Sequence, residues 1–186
     1  MFTIAILISD GFDEWAVKGS KPFFKSHNYK IHLISPKDGE FVRSWTYKDW
    51  GASYAIDKHI EQIDPKLYDA LLMPGGALSV DNLRTNPHVL EFVNHFVNEQ
   101  KPIGTLCHGI WPLVELGVVA NRKLTSVTTI RTDIKNAGGI WIDESSVRDG
   151  MLVSSRTSED LDAFLALFNT TLENTLADAS PSQADR

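Results

Sequence analysis

The run Phe2–Ile8, FTIAILI, is apolar at almost every position instead of every second one. A strand with one face in water alternates apolar and polar residues, so a run of this kind belongs to a strand buried on both faces, inside a parallel sheet covered by helices. The segments that follow fit that plan. Ser9-Asp10-Gly11 ends the run, and Asp13–His27 reads as a helix. Tyr29–Ser35 is a second strand, closed by Pro36 to Gly39, and Phe41–Ile56, with Gly51 inside it, reads as a small hairpin excursion. Tyr68–Met73 is another buried strand, stopped by Pro74-Gly75-Gly76. Asp81–Gln100 carries Val89, Leu90, Phe92, Val93, Phe96 and Val97 at helical spacing. Ile103–Leu106 is a strand and Trp111–Leu116 a helix ended by Gly117. Leu124–Val127, Ile130–Ala137 and Gly139–Ile142 read as strand, helix and strand. Val147 and Met151–Ser154 form a strand pair turning at Arg148-Asp149-Gly150, and Ser158–Leu176 is a closing helix.

Alternating strands and helices give an α/β domain, a mostly parallel sheet with helices on both faces. Ligands of such sheets sit beyond the carboxyl ends of the strands, which selects the loops after Ile8, Met73 and Leu106. With 186 residues, 42% hydrophobic and 23% charged, one domain over residues 1–176 is expected, followed by a small, polar, disordered tail at 177–186. The formal net charge is −6 and no block of Lys and Arg occurs, so neither a nucleic-acid partner nor a membrane surface is expected. A single cysteine cannot form an internal disulfide, and the first residues lack the pattern of a secretion signal. A cytoplasmic protein is the expectation.

That one cysteine, Cys107, falls where a strand gives way to a helix, in KPIGTLCHG. A residue at such a turn is lifted from the core, and a helix N-terminus favours an anion, so the thiol is expected to ionise near neutral pH. The alternative is a buried structural cysteine. Gly75 and Gly76 can bring backbone N–H groups close to a bound group, and with the N–H of His108 one of them can form an oxyanion hole beside Cys107. Asp13-Glu14 opens the first helix, where carboxylates cap. His108 is a candidate base, and a partner must orient it; Asp81 is the nearest candidate in the same loops. His88, Glu91 and His95 share one helix face, which reads as solvated rather than as a metal site. No metal and no cofactor are expected.

The segments ILISDGFDEW, YDALLMPGG, DNLRTNP, KPIGTLCHG and RKLTSVTTIRTDIKNAGGIWIDESSVRDGMLVSSRTSEDLDAF, in this order and spacing, resemble the ThiJ/PfpI family of the class I glutamine amidotransferase-like superfamily, from Phe2 to about Leu172. The resemblance implies a flavodoxin-like three-layer sandwich, assembled as a homodimer or higher homo-oligomer with the site near the subunit contact. It implies that Cys107 is a nucleophile or oxidation-sensitive thiol on a nucleophile elbow, paired with His108, with Gly76 and His108 donating to the oxyanion. Asp81-Asn82-Leu83-Arg84 matches an acidic position that some relatives supply across the subunit contact. The sequence departs from the family after the first strand. In Phe12-Asp13-Glu14-Trp15-Ala16 the family's final Glu, which hydrogen-bonds the cysteine, is Ala16. Either Asp13 or Glu14 reaches the thiol instead, or the thiol lacks its carboxylate. Pro112, too, follows the Cys-His-Gly motif later than the family's proline does.

Trp15, Trp50 and Trp111 fall near the cysteine or its expected subunit contact. They either pack into the core or, with Ala16, line a narrow apolar pocket for a small uncharged substrate. The function the resemblance implies is cysteine-dependent chemistry on small electrophilic carbonyl compounds, glyoxalase- or deglycase-like. A small-molecule hydratase or hydrolase of the isonitrile hydratase type is the nearest enzymatic alternative, and a non-catalytic redox-sensing stress protein is the alternative from another class.

Overall fold

The computed structural model describes residues 2–179. The chain runs through β1 (Thr3–Leu7), β2 (Phe12–Asp13), α1 (Glu14–Ser26), β3 (Lys30–Ser35), β4 (Phe41–Trp45), β5 (Trp50–Ala55), β6 (Lys58–His59) and β7 (Ala70–Met73). It continues with α2 (Ala77–Leu83), α3 (Pro87–Asn98), β8 (Ile103–Leu106), α4 (Trp111–Glu115), β9 (Lys123–Leu124) and α5 (Arg131–Asn136). Strands β10 (Ile140–Trp141), β11 (Ser146–Asp149) and β12 (Leu152–Ser155) lead to the long α6 (Leu161–Ala179). The main sheet has the order β11-β12-β8-β7-β1-β3-β6, parallel throughout except for the β11–β12 pair.

The apolar run that opens the chain does what its pattern requires. Ile4, Ile6 and Ile8 point to one face, into a core built with Ala16, Val17 and Phe24 of α1 and Phe164, Phe168 and Leu172 of α6. Ala5 and Leu7 point to the other, against Val89, Phe92, Val93 and Phe96 of α3, Leu113 of α4 and Ile134 of α5. Both faces of β1 are therefore dry, and the architecture is the expected three-layer sandwich.

Several local expectations are corrected. The single helix expected over 81–100 is two. Pro87 occupies the first turn of α3, and Asn86 caps it, its side-chain oxygen accepting from the N–H groups of His88 at 3.0 Å and Val89 at 3.3 Å. An Asn-Pro pair starts a helix more readily than it continues one. The strands expected at 124–127 and 139–142 do not join the main sheet; β9 and β10 form a separate two-stranded parallel ribbon. The hairpin excursion is present as antiparallel β4–β5, and the short β2 adds to β4, tying the loop after β1 to the hairpin. Helix α6 runs past the expected boundary at 176 to Ala179, and residues 180–186 of the expected tail lie outside the described residues. Among the described residues no helix is long and apolar enough to cross a membrane.

Candidate active site around Cys107

The loops after β1, β7 and β8 meet at one end of the sheet. The Asp13 N–H donates to the Gly75 carbonyl at 3.4 Å, and the Ser9 N–H to Ser79 Oγ at 2.9 Å, which joins the first two loops. The third packs on the second so closely that a side chain on Gly75, whose φ is +89°, would place its first carbon 2.5 Å from the Leu106 carbonyl oxygen and 3.0 Å from Cys107 Cβ. Gly109 is held for the same reason, since a side chain there would meet the Met73 carbonyl oxygen at 2.2 Å.

Cys107 has φ +56°, in the left-handed region that residues with a Cβ seldom adopt. Its N–H donates to the Ser155 carbonyl of the neighbouring strand at 3.1 Å, and the Gly109 N–H closes the turn on the Leu106 carbonyl at 2.7 Å. The result is the sharp elbow expected from the sequence. The backbone N–H groups of His108 and Gly76 both hydrogen-bond the sulfur, and His108 Nδ1 lies 3.1 Å from it. Two main-chain donors thus converge where negative charge would develop.

The expectation of a thiol ionised near neutral pH is not met. Cys107 is only 4% exposed. Burial first, and the charge of Asp13 second, push the thiol up to about 11, while the two backbone N–H groups and the Tyr47 hydroxyl pull the other way. The helix behind it gives little help, because α4 starts only at Trp111 and is five residues long. The site holds a protonated thiol.

The carboxylate question left by Ala16 has a definite answer. Asp13, 1% exposed, faces the cysteine and raises its pKa by charge. It also caps α1, one oxygen accepting from the Ala16 N–H at 3.1 Å, while on the thiol it acts by charge and not by a hydrogen bond. Burial holds the Asp13 carboxyl above its ordinary value, against hydrogen bonds from Tyr47, the Ala16 and Trp15 N–H groups and Ser158. Glu14 turns away. Its Oε2 accepts from Ser44 Oγ at 2.8 Å and the Ala52 N–H at 3.4 Å, fastening α1 to the hairpin.

His108 is half-buried and its imidazole is held below the ordinary value by burial, with the charge of Asp133 on α5 opposing. Asp81 is exposed on α2, so the carboxylate bearing on His108 within the chain is Asp133, a residue the sequence reading passed over. The Trp111 ring stands edge-on to the imidazole, centroids 4.9 Å apart, and is in turn covered by the Arg84 guanidinium at 4.8 Å.

The pocket expected from the tryptophans is only partly there. Trp15, 54% exposed, lines an open cleft of about 510 Å³ with Tyr47, Thr157, Ser158 and Glu159. Trp50 instead packs edge-on against Trp45 with Arg43 over its face, and Ala16 is wholly buried in the core between the sheet and α6. The histidine face of α3 divides its attention: His88 Nε2 lies 3.6 Å from Glu61 and His95 Nε2 3.2 Å from Lys101 Nζ. Among the described residues no three His, Cys, Asp or Glu side chains are grouped to hold a metal ion. Tyr47 and Ser158, both hydrogen-bonded to Asp13, are neighbours that the sequence did not single out. A tyrosine in a hairpin and a serine before a helix carry no local signal of meeting at a cysteine.

A cysteine at φ +56° on the carboxyl edge of a parallel sheet, beside a histidine and under two main-chain donors, defines an α/β protein with a strand–cysteine–helix elbow. Comparison with known proteins gives the family. The DJ-1/PfpI family matches residues 2–170, and the chain belongs to it. It is 39% identical over 162 residues to protein/nucleic acid deglycase 2 of Escherichia coli strain K12, covering 87% of this chain and 92% of that protein. It is 32% identical over 162 residues to general stress protein 18 of Bacillus subtilis strain 168, again covering 87% and 92%. Among solved structures, a two-domain protein with DJ-1/ThiJ/PfpI-like and ferritin-like domains from Anabaena variabilis matches with a TM-score of 0.87 at 24% identity, over 100% of this chain. The chain spans about half of that protein's length, 52%, and the likeness speaks for the fold.

Proposed function

We propose that this chain is a cysteine-dependent enzyme of the deglycase type, acting on small electrophilic carbonyl compounds with Cys107 as nucleophile. The observation that carries the reading is the elbow itself, with the N–H groups of Gly76 and His108 on the sulfur. A relative that is 39% identical is named a deglycase, which supports the same class of chemistry. In the proposed reaction the sulfur adds to the carbonyl carbon. A C–S bond forms, the carbonyl π pair moves onto oxygen, and the Gly76 and His108 donors meet the new oxyanion. Because the thiol is neutral at rest, its proton has to leave as the C–S bond forms. His108, 3.1 Å from the sulfur through Nδ1, is in reach to hand a proton to the adduct. The family resemblance extends the reading to a homo-oligomer in which Asp81, exposed on α2, is offered to a second copy; light scattering tests that part.

The alternative of a redox sensor is disfavoured by the same burial, since peroxide attacks the thiolate and this thiol stays protonated. The deciding experiment follows methylglyoxal consumption by the purified protein. Turnover that vanishes in Cys107→Ser is expected. No turnover, with peroxide oxidising Cys107 selectively, overturns the enzyme reading in favour of the sensor.

A further inference from the structure

The Cys107 sulfur and the Asp13 carboxyl are coupled by charge, yet the hydrogen bond to the sulfur comes from neither Asp13 oxygen. It lies instead with Tyr47, whose hydroxyl donates its one proton to Asp13 Oδ2 and leaves its oxygen to accept from the Cys107 thiol. Tyr47 sits at the tip of the β4–β5 hairpin with φ +70°, an uncommon conformation for an aromatic residue. The residue is 51% exposed, yet its hydroxyl hydrogen-bonds Asp13 and Ser158 beside Cys107. A surface tyrosine held in a strained backbone with its hydroxyl engaged by a carboxylate is an expensive arrangement if it only packs.

We propose that Tyr47 is a catalytic residue, a proton relay that connects the Cys107 thiol to the Asp13 carboxylate and replaces the carboxylate missing at Ala16. The inference rests on the reading of Cys107 as nucleophile. As the sulfur adds to the carbonyl carbon, the S–H proton passes to the Tyr47 oxygen while the Tyr47 proton passes to Asp13 Oδ2. Tyrosine is unchanged, Asp13 ends protonated, the sulfur has formed its bond to carbon, and the carbonyl oxygen holds the displaced electron pair under the Gly76 and His108 N–H groups. No oxidant or further reactant is needed. The direction of transfer fits the surroundings of the two possible acceptors. Burial holds the His108 imidazole below its ordinary value and the Asp13 carboxyl above its own, which narrows the gap between them, and Asp13 is the acceptor to which the Tyr47 hydroxyl already donates. His108 is then left to serve the oxygen end of the adduct. Ser158, bonded to both Tyr47 and Asp13, holds the relay in line.

Tyr47→Phe, Asp13→Asn and the double variant test this in the full chain, with Cys107→Ser alongside. Phenylalanine keeps the ring, and asparagine keeps the helix cap; melting temperatures check both. For methylglyoxal, kcat/KM is expected to fall about tenfold to a hundredfold in Tyr47→Phe, and the double variant is expected to be no worse than the poorer single one, because both cut one path. Alkylation of Cys107 by iodoacetamide supplies a readout that packing alone would not move. Its half-maximal pH should rise in Tyr47→Phe, which loses a donor to the thiolate, and fall in Asp13→Asn, which loses a neighbouring negative charge; His108 is unchanged in both. Parental turnover in Tyr47→Phe while Cys107→Ser is inactive overturns the relay and leaves the nucleophile standing, as do single effects that multiply in the double variant. Parental turnover in Cys107→Ser removes the nucleophile, and the relay with it.

Discussion

Replacing Cys107 by serine should remove an alkaline loss of stability that the parent chain carries. Burial is the larger cause and the Asp13 charge the second in holding this thiol at about 11 against an ordinary 9.0. Below pH 9 the thiol is protonated in the folded and unfolded chains alike, and it contributes no pH dependence. Between the two values the unfolded chain releases its proton while the folded chain keeps it, so stability falls as pH rises from 9 toward 11. At about 1.36 kcal/mol per pH unit the whole loss is about 2.7 kcal/mol, and about 2 kcal/mol of it is gone by about pH 10.5. The assay is urea unfolding in steps from about pH 8 to about pH 10.5 on the parent and Cys107→Ser, each referred to its own value at the lowest pH. Groups that titrate in both, such as Tyr29, Tyr54 and Tyr68, cancel in the difference. A difference that stays flat across the range, or that grows in the parent's favour, would refute the argument, because it would mean a thiol ionised in the fold as readily as in the open chain.

Asp13 has a folded pKa raised by burial, so its charge costs stability that is regained only as pH falls toward the carboxylate's ordinary range. Asp13→Asn is therefore expected to unfold at a higher urea concentration than the parent at neutral pH, with the gain shrinking toward pH 4, even though its turnover is lower. Gly75→Ala should cost about 2–4 kcal/mol, from the 2.5 Å approach to the Leu106 carbonyl and the positive φ together, measured by the shift in urea midpoint. Arg84→Ala removes both the guanidinium over Trp111 and the 3.3 Å ion pair with Glu115, and should cost about 1 kcal/mol in the same assay.

Local sequence was enough for the elements whose cause is local. Apolar runs without alternation marked the buried strands, because only a strand dry on both sides has no use for a polar residue. The elbow at Cys107 was legible because the glycine pair and the Cys-His-Gly turn have few other conformations open to them. The break at Asn86-Pro87 carried its own signal, a cap followed by a helix-starting proline, and the long apolar period on either side masked it. The failed strands at 124–127 and 139–142 show the opposite case: their composition suits a strand, and only the competition for sheet edges, won by β12 beside β8, set them in a ribbon of their own.

The sequence by itself determined the alternation of strands and helices in the sandwich, its family and the place of the cysteine elbow, since periodicity and turn chemistry act between neighbours along the chain. Tertiary structure alone decided the chemistry at that address. Whether Cys107 is charged depends on how much water and which groups surround it, and Asp13, Tyr47 and Gly76 come to it from three separate stretches of chain. A pKa is a property of a place in space, and no spacing of residues along the chain records which hydroxyl will come to lie between a thiol and a carboxylate.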